Sequence, residues 1–254
     1  MTAGVSLGIA AAAGSALAAR VAPAAESAGL HALWVNDTPG HDALSILAAA
    51  AEVTAGLVLA TGVLPVDRRT PDDIVAAASG LPDDRLVLGI GSGQRRSGAV
   101  DAVTEAAAAL RERTAARIVV GALGPRMRRA GATDADGLLL SWLTPEAAAA
   151  QAAQARAVAP ATHVALYVRT ATDPAALAAL EEESARYAGY PAYAANFARL
   201  GLDVSDTVIR PAELRERIAA YRGTVDEVVL RAITVSGSVD EHLRVIDAVS
   251  EAIA

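Results

Sequence analysis

Residues 117–142 read RIVVGALGPRMRRAGATDADGLLLSW, two apolar runs flanking a polar, glycine-punctuated stretch. The runs Ile118–Val120 and Leu138–Leu140 are continuous rather than alternating, as expected of parallel strands buried on both faces. Two parallel neighbours need a crossover of a dozen or so residues, usually a helix. Residues 117–142 therefore read as one β-α-β unit, with strands at 117–122 and 137–142. Working outward, the same signal recurs at 5–10, 31–36, 57–64, 86–91, 163–169 and 226–233, making eight strands in all. Their starts lie 26, 26, 29, 31, 20, 26 and 63 residues apart, and the intervening segments are rich in alanine, the strongest helix former. Thr70-Pro71, Thr144-Pro145 and Asp173-Pro174 each place a capping side chain before a proline at the first helical position, and Ser238 with Glu241 spells a capping box. Eight strand-helix units in 254 residues predict a single α/β domain over 1–254, a closed TIM (β/α)8 barrel. An open doubly wound sheet is the rival topology, and the regular repeat favours closure.

Composition narrows the chemistry. The chain is 53% apolar and 20% charged, with a net charge of −7, which excludes disorder and argues against nucleic acid as a partner. All 22 basic residues are arginine, so no lysine Schiff base or P-loop lysine is available, and without cysteine there are no disulfides or thiolate nucleophiles. The first basic residue is Arg20, so no positive region precedes the weakly apolar N-terminal run, and a cytoplasmic protein is expected.

In a barrel of this kind the chemistry sits at the C-terminal ends of the strands. Those ends hold Asn36-Asp37, Thr61-Gly62-Val63, Gly91-Ser92-Gly93-Gln94, Leu123-Gly124-Pro125-Arg126, Ser141-Trp142 and Arg169-Thr170. Acid–base groups are few: Asp37, with His41 four residues on, are the candidate catalytic pair. Asp37 either meets a ligand, serves as a loop acid or caps the next helix; His41 is either an acid–base or a surface residue. No paired carboxylates suit a glycosidase, and no His/acid cluster has metal-ligand spacing. The turns Gly91-Ser92-Gly93 and Gly121-Ala122-Leu123-Gly124 instead offer bare N–H groups at helix starts, an arrangement that suits phosphate. Few catalytic side chains and two anion-cradling turns point to a cofactor that supplies the chemistry. Arg126 is the leading phosphate contact; Arg68 and Arg69 either reach an anionic cofactor tail or pair with Asp72 and Asp73. Trp142 either walls a ring pocket or packs in the core. Tyr190, Tyr193 and Phe197, in the long gap before the last strand, fall on one helical face as either a packing stripe or a lid. His31, His163 and His242 are expected to be structural.

Several of these segments, in order, resemble the bacterial luciferase-like flavin oxidoreductases. They are Leu33-Trp34-Val35-Asn36-Asp37, Ala60-Thr61-Gly62-Val63-Leu64-Pro65 with Arg68, Arg69 and Pro71, and Arg85 to Gly93. The most distinctive are Ala122-Leu123-Gly124-Pro125-Arg126-Met127, Ala135-Asp136-Gly137 and Leu143-Thr144-Pro145-Glu146. The resemblance implies a TIM barrel that binds FMN or the deazaflavin coenzyme F420, and the Leu-Gly-Pro-Arg-Met version is most similar to the deazaflavin branch. It implies a ring resting on Thr61, Gly62 and Val63, and a phosphate held by Gly91, Ser92, Gly93, Leu123, Gly124, Pro125 and Arg126. It also implies a cis peptide at Gly62-Val63 and a homodimer. The implied activity is hydride transfer to or from a small organic substrate; the alternatives are an FMN-dependent monooxygenase and a flavin-binding homologue without catalysis. The chain departs from the family pattern at Leu81-Pro82-Asp83-Asp84-Arg85 (in place of Ser-Gly-Gly-Arg), at Gln94 (in place of Glu), and in lacking the usual long insertion after the fourth strand.

Overall fold

In a computed structural model, which describes residues 3–95 and 97–254, the strands are β1 (Gly4–Ala10), β2 (Ala32–Asn36), β3 (Val58–Thr61), β4 (Leu64–Pro65), β5 (Leu86–Gly91), β6 (Arg117–Gly121), β7 (Gly137–Ser141), β8 (His163–Thr170) and β9 (Glu227–Ala232). All pairings are parallel, in the order β3-β2-β1-β9-β8-β7-β6-β5-β4, and β3 also pairs with β5, which closes the sheet. β3 and β4 are two halves of one stave, interrupted at Gly62-Val63, so nine segments make the eight staves read from the sequence. The Gly62-Val63 peptide is cis, as the resemblance implies.

Among the described residues ten helices surround the barrel: α1 (Gly14–Ser27), α2 (Ala43–Ala51), α3 (Pro71–Ala78), α4 (Ala99–Arg111), α5 (Pro125–Asp134), α6 (Pro145–Val158), α7 (Leu177–Ala188), α8 (Pro191–Leu200), α9 (Leu214–Arg222) and α10 (Val239–Ile253). Their starts obey the local chemistry. The Thr70 and Ser238 hydroxyls accept from the Asp73 and Glu241 amides, and both carboxylates bond back as full capping boxes. Thr144 caps α6 through the Ala147 amide. Asp173 caps a short 3-10 turn that leads into α7. No helix among the described residues is long and apolar enough to cross a membrane.

Period-two alternation sorts each strand. Leu33, Leu59, Leu88, Ile118, Leu140, Leu166 and Leu230 face outward into the shell between sheet and helices, the main core. Trp34, Ala60, Val87, Val119, Leu139, Tyr167 and Val229 face inward and fill the lumen. Below this layer, towards the N-terminal ends of the strands, the inward position on β9 is a carboxylate. The buried carboxylate of Glu227 accepts from Ser6 Oγ at 2.5 Å, Trp34 Nε1 at 2.6 Å and faces His163 Nε2 at 3.2 Å. Burial alone would raise its pKa; these bonds and the nearby His31 outweigh burial and hold it below the ordinary glutamate value. His163 thus serves the lumen, and His242 bonds the Ser238 carbonyl on α10, both in structural positions.

Candidate active site at the barrel mouth

Two residues beyond the packed lumen layer, the same alternation brings Asn36, Gly62, Gly121, Ser141, Arg169 and Arg231 to the C-terminal mouth, with Gly91 on β5. The ring so formed has two unlike halves. On β3, β5 and β6 it consists of glycines. A Cβ at Gly91 would lie 2.6 Å from Val63 Cγ2, and one at Gly121 would lie 2.9 Å from Val63 Cγ1. The Val63 side chain therefore lies across the space the two glycines leave, forming a flat apolar floor. Thr61 does not join it. Its buried hydroxyl donates to the Gly89 carbonyl at 3.0 Å and accepts from the Gly89 amide at 2.9 Å, stitching β3 to β5 where the stave is broken.

The other half is cationic. Arg169, 3% exposed, donates from Nη1 to Ser141 Oγ at 2.6 Å and from Nε to Glu183 Oε1 at 3.1 Å. Its guanidinium lies 4.2 Å from the Trp142 ring centre and 4.6 Å from that of Tyr187. Glu183 and Tyr187 stand one turn apart on α7, so that helix covers the mouth through Arg169. Arg231 donates from Nε to Asn36 Oδ1 at 3.2 Å and from Nη1 to its neighbour's carbonyl, Ala232 O. Asn36 in turn donates from Nδ2 to the Gly62 carbonyl, tying Arg231 to the Gly62-Val63 floor. Burial and the like charge of Arg169 lower the Arg231 pKa. Below the two arginines the Tyr167 hydroxyl is buried without a hydrogen-bond partner among the described residues, and burial raises its pKa, so it stays protonated.

The two turns expected to hold phosphate differ. At the first, Gly93 adopts φ +60° and the Gln94 amide donates to Asp67 Oδ2 at 2.8 Å. A Cβ at Gly93 would overlap the Asp67 carboxylate, so Gly91-Ser92-Gly93 already cradles an anion of its own chain. At the second, Gly124 is the N-cap of α5, Pro125 its first residue, and no side chain caps it. The space beside Gly124 is open, and Arg126 is exposed on the first turn. The Leu123 carbonyl accepts from Arg128 Nη1 at 2.9 Å and Arg199 Nη2 at 3.0 Å, which gathers positive charge at this open end.

Asp37, with 1% of its side chain exposed, pairs with Arg68 at 3.2 Å and Arg69 at 3.1 Å and accepts from the Ala43 amide at the start of α2. The cap of α2 is Asp42, whose side chain accepts from the Leu44 amide, so of the roles expected of Asp37 its contacts fit the loop acid. Arg69 also reaches Asp42, at 2.8 Å. The expected pairing of Arg68 and Arg69 with Asp72 and Asp73 does not form, because Asp73 is turned back into the capping box and Asp72 meets Arg113. His41 is exposed in the loop before α2. Trp142 is fully packed, at φ +58°, against Tyr187 and Phe197. The aromatic residues of the long gap thus build one cluster with Trp142, and Tyr190, the N-cap of α8, stays partly exposed at its rim.

Sequence reasoning missed Arg231, Tyr167 and Glu183. The signal was present for two of them: Tyr167 and Arg169 alternate in HVALYVRT, and Arg231 interrupts EVVLRA two places after Val229. A cavity of about 510 Å³ opens at the opposite, N-terminal face beside Glu26, His31 and Arg222, away from the end of a barrel that carries chemistry.

Fold and mouth together define a TIM barrel with a flat floor, a cationic wall and an open helix end. The family model for luciferase-like monooxygenases matches residues 3–100, which bears out over that span the resemblance read from the motifs. No curated protein matches the sequence. Among solved structures, a monooxygenase (RslO1) from Streptomyces bottropensis is similar at 19% identity and TM-score 0.73, covering 98% of each chain. An F420-dependent secondary alcohol dehydrogenase in complex with an F420-acetone adduct is similar at 14% identity and TM-score 0.72, covering 98% of this chain and 99% of that one. The F420-dependent tetrahydromethanopterin reductase from Methanopyrus kandleri follows at 15% identity and TM-score 0.71, again covering 98% of each. At such identities these similarities establish the barrel.

Proposed function

We infer that the protein is an oxidoreductase of the luciferase-like family that binds coenzyme F420 at the barrel mouth and moves hydride between its ring and a small organic substrate. The observation that carries this reading is the pairing of a glycine-lined floor with an uncapped, arginine-flanked helix end. A planar ring fits the first and a phosphate the second. Val63, lying over Gly91 and Gly121, would support the ring, while the Gly62 backbone is braced by Asn36 and Arg231. The amides at the start of α5, with Arg126, would hold the phosphate, because an uncapped helix N-terminus favours negative charge. When bound, F420 supplies the hydride-carrying carbon. The protein binds, orients and excludes water through α7 and the aromatic cluster. The Leu123–Met127 motif favours F420 over FMN. Neither Asp37 nor His41 is needed in this account, since the one is sealed in ion pairs and the other lies out in a loop.

The test is a titration of the purified protein with F420 and, separately, with FMN, followed by the quenching of each ligand's fluorescence. Saturable F420 binding at least tenfold tighter than FMN is expected, and it weakens at least tenfold in Arg126→Gln. Tighter FMN binding would move the reading to a monooxygenase; binding of neither would end it.

A further inference from the structure

We propose that Arg231 is the anion receptor of the mouth and that the substrate of the reaction inferred above carries a carboxylate, which Arg231 would bind.

The argument begins with charge. Arg169 and Arg231 occupy paired positions on β8 and β9 and face the same lumen. Arg169 is fully served: it has the Glu183 carboxylate, the Ser141 hydroxyl and two aromatic faces. Arg231 is not. No carboxylate among the described residues lies within ion-pair distance of it, and both of its acceptors, Asn36 Oδ1 and Ala232 O, are neutral. The nearby acid, Glu183, is divided between Arg169 and Arg186 at 3.1 and 3.5 Å. A guanidinium cannot shed its proton, so a half-buried one without a counterion is held at a cost that an incoming anion removes.

Geometry agrees. Nε and one Nη1 hydrogen of Arg231 are engaged, which leaves the Nη2 amine without a partner among the described residues. Arg231 keeps partial solvent access, whereas Arg169 has almost none. The unpartnered Tyr167 hydroxyl, one layer below, is a second donor without an acceptor. A carboxylate satisfies such a group of donors better than any neutral acceptor, because charge-assisted bonds are roughly twice as strong. The cofactor's phosphate has its own place at the open end of α5, and this leaves the mouth arginine to the substrate. The rim near it, Tyr187 and Tyr193, is aromatic and suits a carboxylate with an apolar body. Arg231 also acts through Asn36 on the Gly62 carbonyl, so an anion drawn to it would sit beside the floor that the ring is inferred to occupy.

The test uses benzoate and its neutral isostere benzamide on the whole protein, monitored by tryptophan fluorescence and calorimetry, with F420 and FMN titrations alongside. Benzoate is expected to bind at least tenfold tighter than benzamide. Arg231→Gln should abolish that preference and Arg231→Lys should keep part of it, while Arg113→Gln, an exposed arginine paired with Asp72, should leave it intact. If Arg231→Gln does not fold, the wild-type preference and the Lys variant decide. Equal binding of the two probes by the wild type overturns the proposal. So does a benzoate preference that persists in folded Arg231→Gln or is undiminished in Arg231→Lys, which would place the anion elsewhere. So does a selective loss of F420 affinity in Arg231→Gln with the benzoate preference unchanged, which would assign the residue to the ring. Failure of both F420 and FMN to bind, with an Arg231-dependent benzoate preference, removes the oxidoreductase reading and keeps the anion site.

Discussion

Replacing Glu227 with alanine should destabilise the barrel by about 3–5 kcal/mol, the range for removing one partner from a buried charged network. Its carboxylate is the shared acceptor for Ser6 Oγ and Trp34 Nε1, whose residues are 0% and 1% exposed, and it faces the less buried His163. Alanine leaves the two fully buried donors without an acceptor, at about 1–3 kcal/mol each. It also opens a void where four heavy atoms stood. Relief of the burial cost of the carboxylate offsets part of this, and His163 can turn to water. For a chain of this size the loss corresponds to a Tm lower by roughly 6–20 °C. Glu227→Gln keeps a carbonyl acceptor and should lose only about 1–2 kcal/mol. The assay is urea unfolding followed by both circular dichroism and tryptophan fluorescence, since Trp34 reports directly on the network. The sign of the pH dependence follows from the depressed pKa. The stabilisation from ionised Glu227 is present above the unfolded value, near 4.3, and fades as pH falls through the folded value. The Gln variant should lack that part of the acid dependence. An alanine cost below about 1 kcal/mol, or equal costs for Ala and Gln, would show that the carboxylate does not organise the lumen.

Gly91→Ala should cost about 1–3 kcal/mol and weaken cofactor binding, because its Cβ would lie 2.6 Å from Val63 Cγ2 and push the floor out of place; an unaltered affinity refutes that floor. Gly124→Leu, with open space around it and an ordinary φ of −87°, should change stability by less than about 1 kcal/mol yet weaken F420 binding at least tenfold; the reverse pattern would make Gly124 a folding residue. His242, whose pKa is lowered chiefly by burial, favours the folded state while neutral; stability should fall as pH drops below about 6.5, and His242→Gln should flatten that limb in unfolding titrations. Asp67→Ala frees the Gln94 amide and should cost about 1 kcal/mol, with faster amide exchange across Gly93–Gln94; unchanged exchange would remove the internal-anion account of the turn.

The sequence by itself determined the eight staves, the helix starts at Thr70, Thr144 and Ser238, and the barrel. Those signals are local: continuous apolar runs, Thr-Pro pairs and a capping box act within a few residues of chain. It also located Gly62-Val63, Gly91 and Gly124 at strand ends, because barrel topology alone sends those ends to one face. What it left open was decided by contacts between distant segments. Asp37 could be a ligand group, a loop acid or a cap until Arg68, Arg69 and the Ala43 amide were seen around it and Asp42 was seen to cap α2. The Gly91–Gly93 turn looked as ready for phosphate as the Leu123–Arg126 turn. Asp67 fills the first, while the second stays open. Arg231 gave its clue only through strand register, which sets it beside Arg169 and within reach of Asn36, 195 positions away in the chain. A guanidinium's meaning depends on which anions surround it, and in a closed barrel those neighbours come from every stave. Spacing along the chain shows which face a side chain takes, but only closure of the sheet shows what it meets there.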